Sequence, residues 1–302
     1  MEIVSEEDLA TLEFDIMYTD APIANALRRV LLSEVPTVAI EKVLMYNNTS
    51  IVQDEVLVHR LGLVPLDVDA RRLEWRKGAS SDNKDRDNIE PNSRDTVVFD
   101  LKVRCTRNRT AKKDETDKKK LYHDANVYAS HLKWVPLDEQ KELFQEHEPK
   151  PLYGDILVAK MLPGHEIDLR CLCYKGIGRD HAKFSPVATA SYRLMPYIKL
   201  KEPIYDEEAF KLQGFFANGV IAVEPTKKGR MTARVDNVRA DTCNRQVLED
   251  EEMSPKVEIS KIRDHFLFTV ESVSFFRPDE LVVEALDVLC AKCDTLIEFL
   301  GN

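Results

Sequence analysis

The residues that could carry chemistry in this chain are its cysteines and histidines, and their spacing limits what they can do. Cys290 and Cys293 lie three residues apart in a helical apolar pattern, so their side chains are neighbours on one helix face. A zinc site would need two further thiolate or imidazole ligands, and the sequence has no second pair at finger-like spacing. We therefore predict two core thiols. Cys171 and Cys173 share one face of a predicted strand, and the same prediction applies to them.

The segment 175–186 combines two glycines, a histidine and three basic residues. A phosphate-binding loop is one interpretation, but the spacing fits neither the Walker pattern nor a dinucleotide fingerprint, and no helix pattern follows. We favour a surface loop that contacts protein, since loops often carry binding residues. His59 or His181 could serve as the base of an enzyme of unknown type. No nucleophile is near His59 in the sequence, so a structural histidine at a helix end is favoured there.

The distribution of charge raises another hypothesis, that the chain is a nucleic-acid-binding module. Residues 104–120 contain eight Lys or Arg against three acids and could contact RNA or DNA. The run has no interleaved aromatic residues, and a solvated loop is the usual outcome for such a segment. The whole chain has 43 basic and 53 acidic residues, a net charge of −10, which argues against broad non-specific binding to phosphates.

Length and composition indicate a globular protein. The chain has 302 residues, enough for one large domain or two ordinary ones, and 43% of them are hydrophobic. The N-terminal residues are acidic and lack the apolar core of a signal peptide. No apolar run approaches the ~18 residues of a membrane span. Scattered cysteines in such a chain are expected to be reduced thiols in the cytosol or nucleus.

Two helices carry most of the predicted binding surface. After a strand at 12–16, Pro22 opens a helix whose apolar residues recur at helical spacing, while Arg28 and Arg29 lie off that stripe. A strand through about Tyr46 and a short helix from Asp54 follow. Near the C-terminus, Pro278 opens a long helix with a seam that steps by four and three residues. The expected interface residues on the two helices are Ile23, Leu27, Val30, Leu31, Leu286, Leu289, Cys293 and Leu296.

The pattern between these helices is β-rich. Two hairpins are predicted, one from 156–161 and 167–174 and one from 220–223 and 231–235. We therefore expect an α+β fold in which a discontinuous domain, 1–66 with 256–302, is interrupted by an inserted β-rich domain at 67–255. A compact motif with much apolar surface and no convincing catalytic constellation indicates a protein that binds other proteins.

Several long motifs resemble the α-subunit family of multisubunit RNA polymerases. They are 25–32 (Asn-Ala-Leu-Arg-Arg-Val-Leu-Leu), 34–41 (Glu-Val-Pro-Thr-Val-Ala-Ile-Glu) and 59–66 (His-Arg-Leu-Gly-Leu-Val-Pro-Leu). More specifically, the chain resembles the larger α-like subunit shared by eukaryotic RNA polymerases I and III. The segments 103–108, 175–194, 235–245 and 262–272 carry that subtype's marks. The likeness covers nearly the whole chain.

The resemblance implies a fold and a set of partners. The fold is α-subunit-like, with the discontinuous domain used for dimerisation with a small α-like subunit and the insert packed on the largest and second-largest subunits. No active site, metal or cofactor in this chain is implied, because catalysis and its magnesium belong to the two largest subunits. By position, Arg28 and Arg29 would dock a large subunit. Nuclear and nucleolar residence follows, with no specific nucleic-acid binding and no membrane.

The closest alternative within the family is the third-largest subunit of RNA polymerase II. That relative carries a cysteine-rich zinc loop early in its insert, whereas this chain has no cysteine between Leu66 and Cys105. We therefore predict no stoichiometric zinc or iron–sulfur cluster in this subunit. Elemental analysis of the purified heterodimer is the measurement, and one zinc per complex traced to this chain would contradict the prediction.

Overall fold

The computed structural model describes residues 2–8, 10–76, 91–109, 121–227 and 229–301. Its helices are α1 (Ala21–Ser33), α2 (Asp54–Gly62), α3 (Gln140–Leu143), α4 (Asp206–Phe215) and α5 (Pro278–Gly301). The predicted polar loop at 77–95 and the basic run at 104–120 lie partly outside the described residues, at 77–90 and 110–120. The nucleic-acid hypothesis for the basic run therefore stays a prediction.

Two sheets of four strands each organise the chain. The first has the order β1-β2-β16-β13, and the second has the order β3-β12-β5-β9. In the second sheet all three neighbouring pairs are antiparallel. The strands are β1 (Glu2–Asp8), β2 (Thr11–Met17), β3 (Thr37–Asn48), β4 (Leu66–Asp67), β5 (Thr96–Arg104), β6 (Thr106–Arg107), β7 (Tyr122–His123), β8 (Asn126–Tyr128), β9 (Lys133–Val135), β10 (Lys150–Pro151), β11 (Leu157–Lys160), β12 (Glu166–Gly176), β13 (Val187–Leu200), β14 (Ile221–Pro225), β15 (Met231–Val235) and β16 (Val257–Ser272).

The chain divides into two compact units. The first comprises Met1–Glu6, Leu12–Ala26 and Ser191–Thr269, and the second comprises Glu7–Thr11, Leu27–Ala190 and Val270–Asn302. This division differs from the predicted segments 1–66, 67–255 and 256–302. Strand β3, from the predicted dimerisation segment, pairs along its length with β12 of the predicted insert, and β13 lies in the sheet of β2 and β16. Hydrophobic periodicity identifies strands but not their pairing partners, and the discontinuous dimerisation domain with its insert stays a prediction.

The first unit combines an aromatic core with a buried ion cluster. Phe14 of β2 stacks on Phe268 of β16 with ring centroids 5.1 Å apart. On the same strand Asp15 is buried, and it accepts hydrogen bonds from Arg239 Nη1 at 2.6 Å and from His265 Nε2 at 2.8 Å. Because a buried carboxylate is costly without partners, this cluster fixes the loop that carries Arg239 to the sheet.

Of the two predicted hairpins, one is confirmed and one is wrong. Strands β14 and β15 pair antiparallel from Ile221–Val235 to Pro225–Met231. Strand β11 instead pairs with β8, and β12 pairs with β3 and β5. The reason lies in the turn at Gly164, which has a φ of +93° and donates its N–H to the Cys105 carbonyl. That turn leads the chain onto the end of β5 and away from β11.

The second unit holds the glycine-containing segment 175–186 tightly against the end of α1. The Arg179 N–H donates to the Ser33 carbonyl at 2.9 Å. A Cβ placed on Gly178 would lie 2.3 Å from the Leu32 carbonyl oxygen, and one on Gly176 would lie 2.7 Å from the Phe184 ring. The two glycines therefore permit close packing within the protein, which accounts for them without a phosphate ligand.

We expect Gly178→Ala to destabilise the chain, because backbone must move to relieve the contact with the Leu32 carbonyl. The expected loss is about 2 kcal/mol, seen as a lower thermal midpoint by circular dichroism. Gly214→Ala is the matched control, since a Cβ there has no neighbour within 4 Å and the residue lies in helix α4. The control should be neutral or slightly stabilising. An unchanged midpoint for Gly178→Ala would contradict the close packing.

Candidate protein–protein interface

The second half of helix α5 is exposed to solvent on every side. Leu281, Val282 and Ala285 in its first half are buried, but all residues from Cys290 to Gly301 are exposed. The large apolar side chains in this half are Leu296 (58% exposed), Ile297 (66%), Phe299 (79%) and Leu300 (74%). Soluble monomers rarely leave so contiguous an apolar surface in water, so this half-helix is the strongest candidate for a binding surface.

Most of these side chains share one face of α5. With about 100° between successive helical residues, an arc of roughly 120° contains the apolar positions of the second half together with the preceding turn. This arc, which we call the α5 face, consists of Leu286, Leu289, Cys290, Cys293, Leu296, Ile297 and Leu300. Phe299 lies outside the arc. A stripe of this width matches the surface that one or two packed helices would cover.

Ion pairs in the second unit hold α5 in place. Lys292 Nζ contacts both carboxylate oxygens of Glu34, at 2.8 and 2.7 Å. Arg71 lies 3.3 Å from Glu284 and packs its guanidinium 4.9 Å from the centre of the Phe276 ring. Nearby carboxylates, Asp69 first, raise the pKa of Arg71, so its charge is kept. The exposed half-helix is thereby presented in a defined direction, which favours binding because little order must be gained.

The predicted interface residues divide into exposed and buried groups. Leu286, Cys293 and Leu296 lie on the exposed α5 face, and Leu289 beside them is half-buried. Ile23 is exposed and falls in the first unit. The other three, Leu27, Val30 and Leu31, are buried within this chain at 3% exposure or less. These three leucine and valine side chains are core residues here, because the apolar stripe of α1 is used by the chain's own fold.

Four residues of the exposed surface are not among the interface residues expected from the sequence. They are Cys290, Ile297, Phe299 and Leu300, of which Leu300 continues the predicted seam. The selection followed a strict heptad seam, which is narrower than the stripe of a helix with 3.6 residues per turn. Extending the pattern by the helical period brings in Cys290 and Ile297. No sequence pattern predicts Phe299, because it lies outside the α5 face and is accessible only through the exposure of the whole helix end.

The arginine pair occupies two different environments. Arg28 is half-buried and Arg29 is exposed. The Arg29 carbonyl accepts a hydrogen bond from Ser33 Oγ at 2.7 Å, which closes the last turn of α1. Guanidinium groups at such positions can donate to carboxylates or carbonyls of another protein.

The structure separates the six cysteines into two sets. Cys105, Cys171 and Cys173 are buried, which confirms the prediction for Cys171 and Cys173. Burial raises the pKa of the Cys171 thiol to about 12 and that of Cys173 well above its ordinary value. Cys243, Cys290 and Cys293 are exposed. The prediction of core thiols at Cys290 and Cys293 is therefore wrong, because the described residues leave the α5 face that carries them exposed.

His59 and His181 line one small cavity of about 90 Å³ in the second unit. His181 Nδ1 accepts from the Lys183 N–H at 3.1 Å, and Lys183 Nζ contacts Glu41 at 2.5 Å and the Ile40 carbonyl at 2.9 Å. The described residues around the cavity include no serine, threonine or cysteine that either imidazole could activate. This cavity gives the enzyme hypothesis no nucleophile, and His181, Lys183 and Glu41 form a local capping and ion-pair network.

Within residues 2–8, 10–76, 91–109, 121–227 and 229–301, no group of three or more His, Cys, Asp or Glu is placed to hold a metal ion. In the same described part of the chain, each helix is too short or too polar to span a bilayer.

Comparison with known proteins agrees with the α-subunit resemblance. Residues 13–293 match the family model described as the RNA polymerase Rpb3/Rpb11 dimerisation domain. The human protein named DNA-directed RNA polymerases I and III subunit RPAC1 is 50% identical over 96% of this chain and 82% of its own length. The Saccharomyces cerevisiae protein of that name is 44% identical, over 97% of this chain and 85% of its own.

A relative named for other RNA polymerases has a lower sequence identity to this chain. The Arabidopsis thaliana protein named DNA-directed RNA polymerases II, IV and V subunit 3 is 34% identical over 94% of this chain and 86% of its own length. The family match spans both compact units, and the α+β architecture agrees with it. The chain therefore belongs to the RNA polymerase Rpb3/Rpb11 dimerisation-domain family.

Proposed function

We propose that this chain is a non-catalytic structural and assembly subunit of DNA-directed RNA polymerases I and III. It pairs with a small α-like subunit, and the pair forms the platform on which the second-largest and largest subunits assemble. The observation that carries the proposal is the second half of α5, an apolar surface that the described residues leave exposed.

The α5 face is the main contact with the small α-like subunit in this proposal. Leu286, Cys293, Leu296, Ile297 and Leu300 supply its apolar area. The Lys292–Glu34 ion pair keeps the helix oriented while the partner binds. Burying such side chains stabilises a complex by roughly 25 cal/mol per Å² of apolar surface, which favours an obligate pair.

Polymerases I and III are favoured over polymerase II by sequence. The relatives named for I and III are 44% and 50% identical, whereas the plant relative named for II, IV and V is 34% identical. The absence of cysteine between Leu66 and Cys105 points the same way. Residence in the nucleus, largely in the nucleolus, and synthesis of ribosomal RNA precursor, 5S RNA and transfer RNA belong to this proposal.

Leu296→Asp tests the interface and the identity together. A buried unpaired carboxylate costs several kcal/mol, so affinity for the small subunit should fall by at least about a hundredfold. Tagged wild-type and variant chains are purified from cells, and bound subunits are quantified by mass spectrometry. Leu248→Asp is the matched control, because Leu248 is also an exposed leucine but lies outside α5.

The wild-type purification should recover the small α-like subunit and the largest subunits of polymerases I and III. The control should match it, and Leu296→Asp should lose all of them. Normal recovery with Leu296→Asp would contradict the proposed interface. Recovery of the polymerase II largest subunit without those of I and III would move the assignment to the alternative. Leu27→Asp is unsuitable here, because Leu27 is a core residue and its change would unfold the chain.

Arg28 and Arg29 are proposed to dock a large subunit. We expect Arg28→Ala with Arg29→Ala to leave the pair with the small subunit intact but to weaken recruitment of the second-largest subunit, because guanidinium groups serve polar contacts across an interface. Arg230→Ala with Arg234→Ala is the control, since both arginines are exposed in the first unit. Assembly of the Arg28/Arg29 variant at normal yield in elevated salt would show that both are solvated surface residues.

A further inference from the structure

Two thiols lie within the apolar surface that pairs with the partner. Cys290 and Cys293 are both exposed, and both belong to the α5 face. They are one helical turn apart, and Leu286, Leu289, Leu296 and Ile297 lie before and after them on that face. A thiol in this position is open to reagents while the chain is unassembled, and it is covered once the partner helix packs on the face.

We propose that Cys290 and Cys293 form a redox-sensitive modification site that controls assembly of the subunit. Small disulfides such as glutathione disulfide modify the unassembled chain there, and the modified chain does not pair with the small α-like subunit. Once assembled, the same thiols are protected. The inference rests on the proposed function, since it assigns the α5 face to that partner.

The reaction is a thiol–disulfide exchange. The deprotonated sulfur of Cys290 or Cys293 attacks one sulfur of glutathione disulfide, and a new S–S bond forms between the chain and one glutathione. The old S–S bond breaks, and the second glutathione leaves as a thiolate that takes up the proton released by the cysteine. A cellular thiol such as reduced glutathione reverses the exchange and restores the free face.

Modification should block pairing for a physical reason. A glutathionyl group adds two carboxylates and an ammonium group to an otherwise apolar stripe. Charged groups that a packed interface does not pair are strongly unfavourable, and the added volume prevents helices from approaching to the usual 8–10 Å. Either effect alone is enough to separate the two surfaces.

The other cysteines make the site selective. Cys105, Cys171 and Cys173 are buried, and burial raises the pKa of each thiol, so these three react slowly in the folded chain. Cys243 is exposed but lies between β15 and β16, not on α5. It belongs to the first unit and is not a residue of the α5 face, so it serves as an internal control.

The test uses the full-length chain, kept reduced during purification and then treated with glutathione disulfide. Peptide mass spectrometry locates the adducts, and binding to the immobilised small α-like subunit is measured before treatment, after treatment and after a reductant. We expect adducts on Cys290, Cys293 and Cys243, at least about tenfold weaker binding, and full recovery with the reductant. In the preformed pair, only Cys243 should be modified.

Two variants separate the sites. Each variant is compared with itself before and after treatment. Treatment should not change the affinity of Cys290→Ser with Cys293→Ser, whatever its affinity at the start, whereas Cys243→Ser should lose binding on treatment as the wild type does. Wild-type chain that carries adducts on α5 yet binds normally would overturn the inference, and so would the absence of adducts on α5. Failure of the reduced wild-type chain to bind at all would instead overturn the proposed function, and the redox inference with it.

Discussion

Apolar surface that the described residues leave exposed is the constraint on which the rest of this structure depends. The first half of α5 is part of the chain's core, but from Cys290 onward the helix has no covering element among the described residues. An isolated amphipathic half-helix gains little stability from propensity alone and needs packing on its apolar face. In the proposed function, the small α-like subunit supplies that packing.

The remaining elements of the second unit make the exposed helix a usable surface. Buried Leu281 and Ala285 fix the start of α5, and the Lys292–Glu34 ion pair ties its middle to the residue after α1. The end of α1 is in turn held by the close approach of Gly178 to the Leu32 carbonyl. Each contact is modest, since exposed ion pairs contribute about 1 kcal/mol or less, but together they fix one direction for the helix.

Sequence periodicity predicts where the helices lie, but it does not predict which of their apolar side chains are buried. The bounds of α1 and α2 follow from Pro22, Pro36 and the acidic and basic ends of 54–62, because these signals are local. Burial is not local: Leu27 and Leu296 occupy equivalent positions in two apolar stripes, yet one is core and the other is exposed. Strand pairing also depends on distant residues, so the local pattern predicts a hairpin of β11 and β12, whereas β11 pairs with β8.

Exposure of the α5 face has a chemical consequence as well as a mechanical one. Any side chain that must contact a partner is in water before the partner arrives, so a thiol on such a face reacts at that stage and not later. Cys171 and Cys173 pack inside the chain, so they are not accessible to reagents once folding is complete. The two cysteine pairs therefore differ in when they are covered: folding covers Cys171 and Cys173, whereas in the proposed interface only assembly covers Cys290 and Cys293.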